Sequence, residues 1–241
     1  MLLAAAACSS APEADRACEQ RIFEGSRFTL CRYDAARDRI ELATELHGAP
    51  LRSFDRLKVA LGPRAAQVRF AMNAGMYDEN GRPIGLYIES GKQLRKLNRA
   101  SGGGNFGLKP NGVFAADESG RVEIATTESW AEDKRRARWA TQSGPMLVID
   151  GRIHPRFQVN GPSRNIRNGV GVGTDREAWF AISDDPVSFG RFARFFRDSL
   201  GCRNALYFDG AVSSLWEPGA KRLDQRAEIG PMVMILRRGG D

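Results

Sequence analysis

Gln142-Ser143-Gly144-Pro145-Met146-Leu147-Val148-Ile149-Asp150-Gly151-Arg152-Ile153 is the stretch from which the rest of the chain can be read. A polar pair runs into a Gly-Pro corner, four apolar residues follow, and Asp150-Gly151 turns the chain back. Asp-Gly between two such runs is a hairpin signal, because both residues tolerate the positive φ of a tight two-residue turn. Met146–Ile149 therefore reads as a strand with a polar, glycine-bearing entry and a hairpin at its exit.

Working outward, similar short runs recur along the sequence. Strands are expected at Phe28–Arg32, Arg39–Leu46, Val68–Met72, Gly85–Glu89, Gly112–Ala116 and Val122–Thr126, and again at Val170–Gly173, Ala178–Ile182, Ala205–Phe208 and Met232–Leu236. Arg39–Leu46 alternates, with Ile40, Leu42, Thr44 and Leu46 on one face. Helical signals are few. Ser53 caps a short helix that Gly62 stops, and another is expected around Glu128–Arg138. Ser188 opens a third helix that ends at Gly201, with Phe189, Phe192, Phe196 and Leu200 on one stripe. Strands outnumber helices and do not alternate with them. The class is therefore α+β: a single domain with a large mixed β-sheet or two packed sheets flanked by few helices. Residues 1–17 read as a tail and residues 18–241 as the domain, with Ser101–Gly104 a loop inside it.

Composition narrows the function. The chain has 241 residues, a net charge of +7, 42% hydrophobic and 27% charged residues, which excludes a wholly disordered chain. The longest apolar run, Leu2–Ala7, is far short of the ~20 residues of a spanning helix. Only six of the 36 cations are Lys, and the Arg residues are spread along the sequence. The densest cluster, Lys134-Arg135-Arg136 with Arg138, follows Glu132-Asp133, as on a solvated helix face with internal pairing. No nucleic-acid signature is present, so nucleic acid is not the expected partner. Anionic small molecules or envelope polymers suit the charge better.

The start, Met1-Leu-Leu-Ala-Ala-Ala-Ala-Cys8, resembles the end of a bacterial lipoprotein signal without its basic segment. Cys8 would then be lipidated and tether the chain to a membrane. With Cys8 so used, Cys18 and Cys31 can close a short disulfide loop ahead of the core, as suits an oxidising periplasm, and Cys202 is left as a small buried hydrophobe. In a cytosolic protein all four would stay reduced. No C-x-x-C occurs and His47 and His154 are far apart, so neither a metal site nor a cofactor is expected.

Several strand ends carry a polar residue beside glycine: Asn73-Ala74-Gly75, Gln142-Ser143-Gly144, Asp209-Gly210 and, at a strand start, Asn111-Gly112. One such pair is simply a good turn. The set reads as a polar pocket on the rim of a rigid sheet. Arg164 and Arg167 in Ser163-Arg164-Asn165-Ile166-Arg167-Asn168 offer planar forks for phosphate or carboxylate. Asp184 and Asp209 follow strands, and two carboxylates converging on a pocket suit glycosidic cleavage, although Asp184-Asp185 also reads as a turn before the Ser188 helix. A Ser143–His154 pair for a triad exists in arithmetic only, since no G-x-S-x-G elbow is present.

At these residues the chain resembles the phosphodiester glycosidase (NAGPA-type) domain family, that of the mannose 6-phosphate uncovering enzyme, and within it a bacterial exported subgroup. Asn73-Ala74-Gly75-Met76-Tyr77 is similar to the family's N-G-G-F-[FY] block, and Gln142–Gly151 to its [AQ]-x-G-P-x-L-[IV]-x-[DN]-G block. Arg167-Asn168-Gly169-Val170-Gly171 is similar to R-T-A-[IV]-G, and Asp209-Gly210-Ala211-Val212-Ser213-Ser214 to D-G-G-x-S-[ST]. The blocks follow the family's order from about Phe70 to Leu236.

The resemblance implies a cell-envelope hydrolase that releases an N-acetylglucosamine-like sugar from a sugar-1-phosphodiester. By motif position, Arg167 would hold the phosphodiester, and Asn73, Asp209, Ser213 and Ser214 would meet sugar or reacting oxygens. Gly75, Gly144 and Gly210 would shape the backbone. The departures are Met76, Asn168 and Ala211, where the family has Phe, Thr and Gly. Ala211 and Asn168 favour the alternative class, a non-catalytic envelope protein that binds anionic glycans; Arg167, Asp209 and Ser213-Ser214 favour the enzyme.

Overall fold

The computed structural model describes residues 16–133 and 135–239; Cys8 and Lys134 lie outside the described residues. The chain is α+β, with four short α-helices among the described residues and strands throughout. The strands sort into three principal sheets, and the pairings within them are antiparallel. Short connections such as Glu24-Gly25, both at positive φ, join neighbours as hairpins, which only antiparallel strands allow. The first sheet runs in the order Cys18–Phe23, Ser26–Asp34, Glu177–Ser183, Asn168–Thr174, Asn204–Tyr207, Met146–Ile149, Arg152–Ile153. The second is Val122–Thr126, Gly112–Ala116, Trp139–Ser143, Tyr87–Glu89, Lys92–Arg95, and the third Arg222–Leu223, Leu215–Glu217, Val68–Asn73, Met232–Arg237, Asp38–Ala43.

The core lies where the three meet. Phe180 of the first sheet, Phe114 of the second and Phe70 of the third are buried together, with Phe180 5.6 Å from Phe114 and 5.5 Å from Phe70 in edge-on contacts. Each such ring adds about 1.5–3 kcal/mol by burial, so this junction fixes the sheets relative to one another.

The Asp150-Gly151 hairpin forms as expected. Three expected elements differ. The strand from Arg39 ends at Ala43, because the chain turns through His47-Gly48 at positive φ and pairs Glu45–Leu46 with Ala49–Pro50. Leu46 is thereby exposed, while Ile40, Leu42 and Thr44 stay buried. The helix expected to reach Arg138 stops at Glu132, and Arg135 pairs with Glu123 and Asp133 instead of along a helix face. The Ser188-capped helix runs Phe189–Arg194 and then widens into a π-turn, Phe195–Ser199. Phe195, three residues after Phe192 and so beside it on the helix face, joins the stripe in the core, its ring 4.0 Å from that of Phe28.

Cys18 and Cys31 form a disulfide, as expected, but not ahead of the core. They face each other across the first two strands, with Cα atoms 4.1 Å apart and Cys31 fully buried. Cys202 is free and buried among Phe196 and its neighbours. No helix among the described residues is long and apolar enough to cross a membrane.

Register brings one end of all three sheets together. Asn73 pairs with Met232, Ser143 with Gly112, and Gly169 with Tyr207, all at the same pole of the molecule. Thr141 Oγ1 donates to Ala74 O (2.7 Å) and Ser143 Oγ to Phe208 O (2.6 Å), so side chains lace the sheets at that pole.

Candidate active site

The pole is built on an amide clasp. Asn168 Nδ2 donates to both Oδ1 (2.9 Å) and the backbone O (2.8 Å) of Asn73. Asn73 Oδ1 also accepts from Ser214 N (2.9 Å), and Asn168 Oδ1 from Ser213 Oγ (3.1 Å). All four residues are buried, and an unmet polar group here would cost about 1–3 kcal/mol. The clasp therefore closes on itself. Asn168, where the family pattern has Thr, is its centre.

Asp209 stands on this clasp. Its backbone O accepts from Asn73 Nδ2 (3.1 Å) and Ser213 Oγ (3.2 Å), and its N donates to Asn168 Oδ1 (3.3 Å). Its side chain caps the short turn Gly210–Val212 through Ala211 N (3.2 Å to Oδ1). Oδ2 has no partner among the described residues. Burial pushes the carboxyl from 3.8 up to about 6, against the one backbone N–H that favours the ion. Burial, and after it the charge of Asp209, raises the phenol of half-buried Tyr77, whose hydroxyl donates to Glu228 O (2.6 Å).

Arg167 is 1% exposed and directly precedes the strand Asn168–Thr174, with its guanidinium against the start of the Phe189 helix. Nε donates to Val187 O (2.9 Å), Nη2 to Ser163 O (3.0 Å) and Oγ (3.3 Å), and the guanidinium lies 3.6 Å over the Phe189 ring. No carboxylate pairs with it among the described residues, and burial lowers its pKa. Nη1 has only a marginal 3.5 Å contact, to Tyr207 Oη. An uncompensated buried cation is costly unless an anion completes it.

The remaining expected site residues divide. Gly75 (φ +153°) lies where a Cβ would stand 2.9 Å from Thr141 Oγ1, and at Gly210 a Cβ would stand 2.0 Å from Tyr207 Oη; both are glycine for close approach. Gln142 is saturated inside the protein: Oε1 accepts from Leu86 N and Asn98 N, and Nε2 donates to Asn98 O and Thr127 Oγ1. Asn111 is bonded to Phe106 O and Thr127 Oγ1, and Gly144 opens a cis peptide to Pro145 against it. Arg164 is exposed on the loop that holds Arg167. Asp184 is engaged elsewhere, its oxygens accepting from Arg222 Nη1 (3.1 Å) and Thr29 Oγ1 (2.9 Å). It brings no free carboxyl oxygen to Asp209. Ser143 and His154 are not joined either: Ser143 donates to Phe208 O, while His154 Nδ1 accepts from Arg156 N (3.2 Å) and Nε2 lies 3.1 Å from Lys109 O.

A model of the phosphodiester glycosidase family matches residues 66–229, which contain Asn73, Arg167 and Asp209. The chain belongs to that family. This phosphodiester glycosidase-family chain is 40% identical over 175 residues to the uncharacterized protein YigE of Escherichia coli (strain K12), covering 72% of this chain and 67% of YigE. The solved catalytic domain of zebrafish N-acetylglucosamine-1-phosphodiester alpha-N-acetylglucosaminidase, auto-inhibited by its pro-peptide, superposes with a TM-score of 0.61 over 92% of this chain and 82% of that one, at 14% identity. A hypothetical protein from Synechocystis gives 0.62 over 92% and 61%, also at 14%. At such identities the likeness speaks for the fold alone.

Two residues at the pole of this family member escape a reading by motif: Tyr207 and Phe189. Phe189 reads as core by its helical spacing, yet it is half-buried and covers the Arg167 guanidinium. Tyr207 reads as one more strand residue. Its position two before Asp209, on the opposite face from Phe208, is the signal that places it beside Arg167.

Proposed function

We propose that the chain hydrolyses a sugar-1-phosphodiester in the cell envelope, releasing an N-acetylglucosamine-like sugar and leaving a phosphomonoester on the other partner. The observation that carries this reading is Asp209: a carboxyl raised to about 6, with one oxygen free, held by three backbone hydrogen bonds in the stretch that resembles the family's D-G-G-x-S-[ST] block. In this reading the ionised carboxylate takes a proton from water as that water attacks C1. The C1–O bond breaks, and its electron pair leaves with the phosphate oxygen. A phosphomonoester is a weakly basic leaving group, so no acid is required to protonate it. That is why one free carboxylate suffices and why Asp184, bonded to Arg222 and Thr29, is not needed.

The unpaired charge of Arg167, with exposed Arg164 on the same loop, supplies the attraction for the diester and for the charge that develops on it. Asn73 and Ser213 act through Asp209 by fixing its backbone, and Ser214 acts through Asn73, because their polar atoms are already bonded within the protein, the Ser214 hydroxyl to Val212 O. The Cys18–Cys31 disulfide supports an oxidising compartment. A lipid anchor at Cys8 belongs to the same proposal.

The test is incubation with an N-acetylglucosamine-1-phosphodiester, following sugar release. The wild type is expected to release sugar, with a rate that rises with pH through about 6. Asp209→Asn is expected to lose about 10²–10⁴-fold in turnover. Binding without release, or an undiminished Asp209→Asn, would overturn the hydrolase reading in favour of a glycan-binding protein.

A further inference from the structure

The hydroxyl proton of Tyr207 has no acceptor. Its oxygen receives the backbone N–H of Gly210 and, at 3.5 Å, Nη1 of Arg167, and it donates to nothing among the described residues. A phenol has one O–H to give and two lone pairs to offer. The Gly210 N–H takes one lone pair and the long Nη1 contact approaches the oxygen, so the O–H itself is left without an acceptor among the described residues. The ring cannot swing to find a partner: it is 1% exposed, with Phe189 edge-on at 4.9 Å. Burial also holds the phenol above its usual pKa, so it keeps the proton across the working range.

Arg167 has the matching deficit. Nε and Nη2 are committed to Val187 and Ser163, and Nη1 alone is lightly used. Beyond that long 3.5 Å contact, Nη1 has no acceptor and the Oη–H has none, so two adjacent donors lie together short of an acceptor among the described residues. Asp209, two residues along, and Arg167 both act electrostatically on the phenol without pairing with each other. A group that only accepts and carries negative charge completes this arrangement; a sugar hydroxyl, which brings its own hydrogen, does so less well.

We propose that Tyr207 contacts the substrate, its O–H and the Nη1–H of Arg167 converging on one non-bridging oxygen of the phosphodiester. The proposal rests on the phosphodiester reading above. The competing role is purely structural, the phenol bracing the Gly210 turn.

Tyr207→Phe separates the two, because the ring still fills its space. Inorganic phosphate binding is measured by calorimetry, and kcat and KM on the sugar-1-phosphodiester in parallel. Phosphate affinity is expected to fall about tenfold and kcat/KM about 10–100-fold. The pH midpoint near 6 should stay in place, since the Asp209 side chain is not bonded to the phenol. Unchanged phosphate affinity with a moved midpoint would overturn the proposal and leave Tyr207 as a brace. Should Tyr207→Phe not fold, Arg167→Lys tests the other half of the convergence: it keeps the charge and displaces Nη1, phosphate affinity should fall about tenfold, and an unchanged affinity would overturn the proposal. A wild type that binds phosphate, is weakened by Tyr207→Phe and releases no sugar upholds the anion site and overturns the glycosidase reading. A wild type that releases sugar but binds no phosphate overturns the Tyr207 assignment alone.

Discussion

Asn168 and Asn73 hold each other across two sheets, the amide of Asn168 bonding both the side-chain and the backbone oxygen of Asn73 at 2.9 and 2.8 Å. The pair joins the strand that follows Arg167 to the strand that leads into Gly75. Asp209 hangs from it by its backbone. Rigidity at this one contact is therefore transmitted to the free carboxyl.

Asn168→Ala should be among the most destabilising single changes at this pole. It takes one donor from each of the Asn73 side-chain and backbone oxygens, and removes one acceptor of Ser213 Oγ and the acceptor of Asp209 N. A loss of about 2–4 kcal/mol is expected, read from the urea midpoint at constant m-value. A loss below about 0.5 kcal/mol would mean that the clasp is not a structural support.

Asp209 gives stability a definite pH dependence. Its carboxyl rises from 3.8 to about 6 on folding, so the folded chain holds the proton more tightly than the unfolded one. That contribution is complete below about pH 4 and is lost as pH rises through about 6. Asp209→Asn keeps an acceptor for Ala211 N and never ionises. It should be more stable than the wild type at pH 8, by up to about 3 kcal/mol, and little different at pH 4. Urea titrations at the two pH values check this, and a difference of equal size at both would remove burial of the charge as its cause.

Much of this was legible in the sequence. The Asp150-Gly151 hairpin, the Ser53 and Ser188 caps and the alternation through Ile40 and Leu42 are local signals, and they formed as read. The ends of Arg39–Leu46 and Glu128–Arg138 were not legible, because a hairpin at His47-Gly48 and ion pairs of Arg135 override periodicity. At the site, the sequence marks which polar residues cluster but not which way their heads turn. Asn73, Gln142 and Ser143 sit at strand ends as expected, yet they bond inward, since three sheets converge there and buried polar atoms take partners. Asp184 was drawn away by Arg222, a residue 38 positions on that no local pattern connects to it.

The disulfide closes a separation of 13 residues and ties the edge strand Cys18–Phe23 to the core strand behind it. Reducing it, or changing both cysteines to alanine, should cost about 2–4 kcal/mol while leaving the site in place. Denaturation with and without reductant checks the stability. Loss of phosphate binding on reduction would show that the first two strands reach the site after all.

Arg167→Ala should reduce turnover on a sugar-1-phosphodiester far more than His154→Ala. Arg167 carries an unpaired charge beside Asp209's neighbour Tyr207, whereas His154 is held between Arg156 N and Lys109 O and stacks on Phe157 at 4.6 Å. Steady-state kinetics of the two variants, with thermal midpoints as control, compares them. Equal and small losses would detach Arg167 from the reaction.

Hydrolysis of the sugar-1-phosphodiester in water enriched in ¹⁸O tests most directly whether Asp209 aims water at the sugar carbon. Mass analysis of the products should find the label in the released sugar and none in the phosphomonoester. Label in the phosphate instead would mean attack at phosphorus, and would contradict a glycosidase built on Asp209.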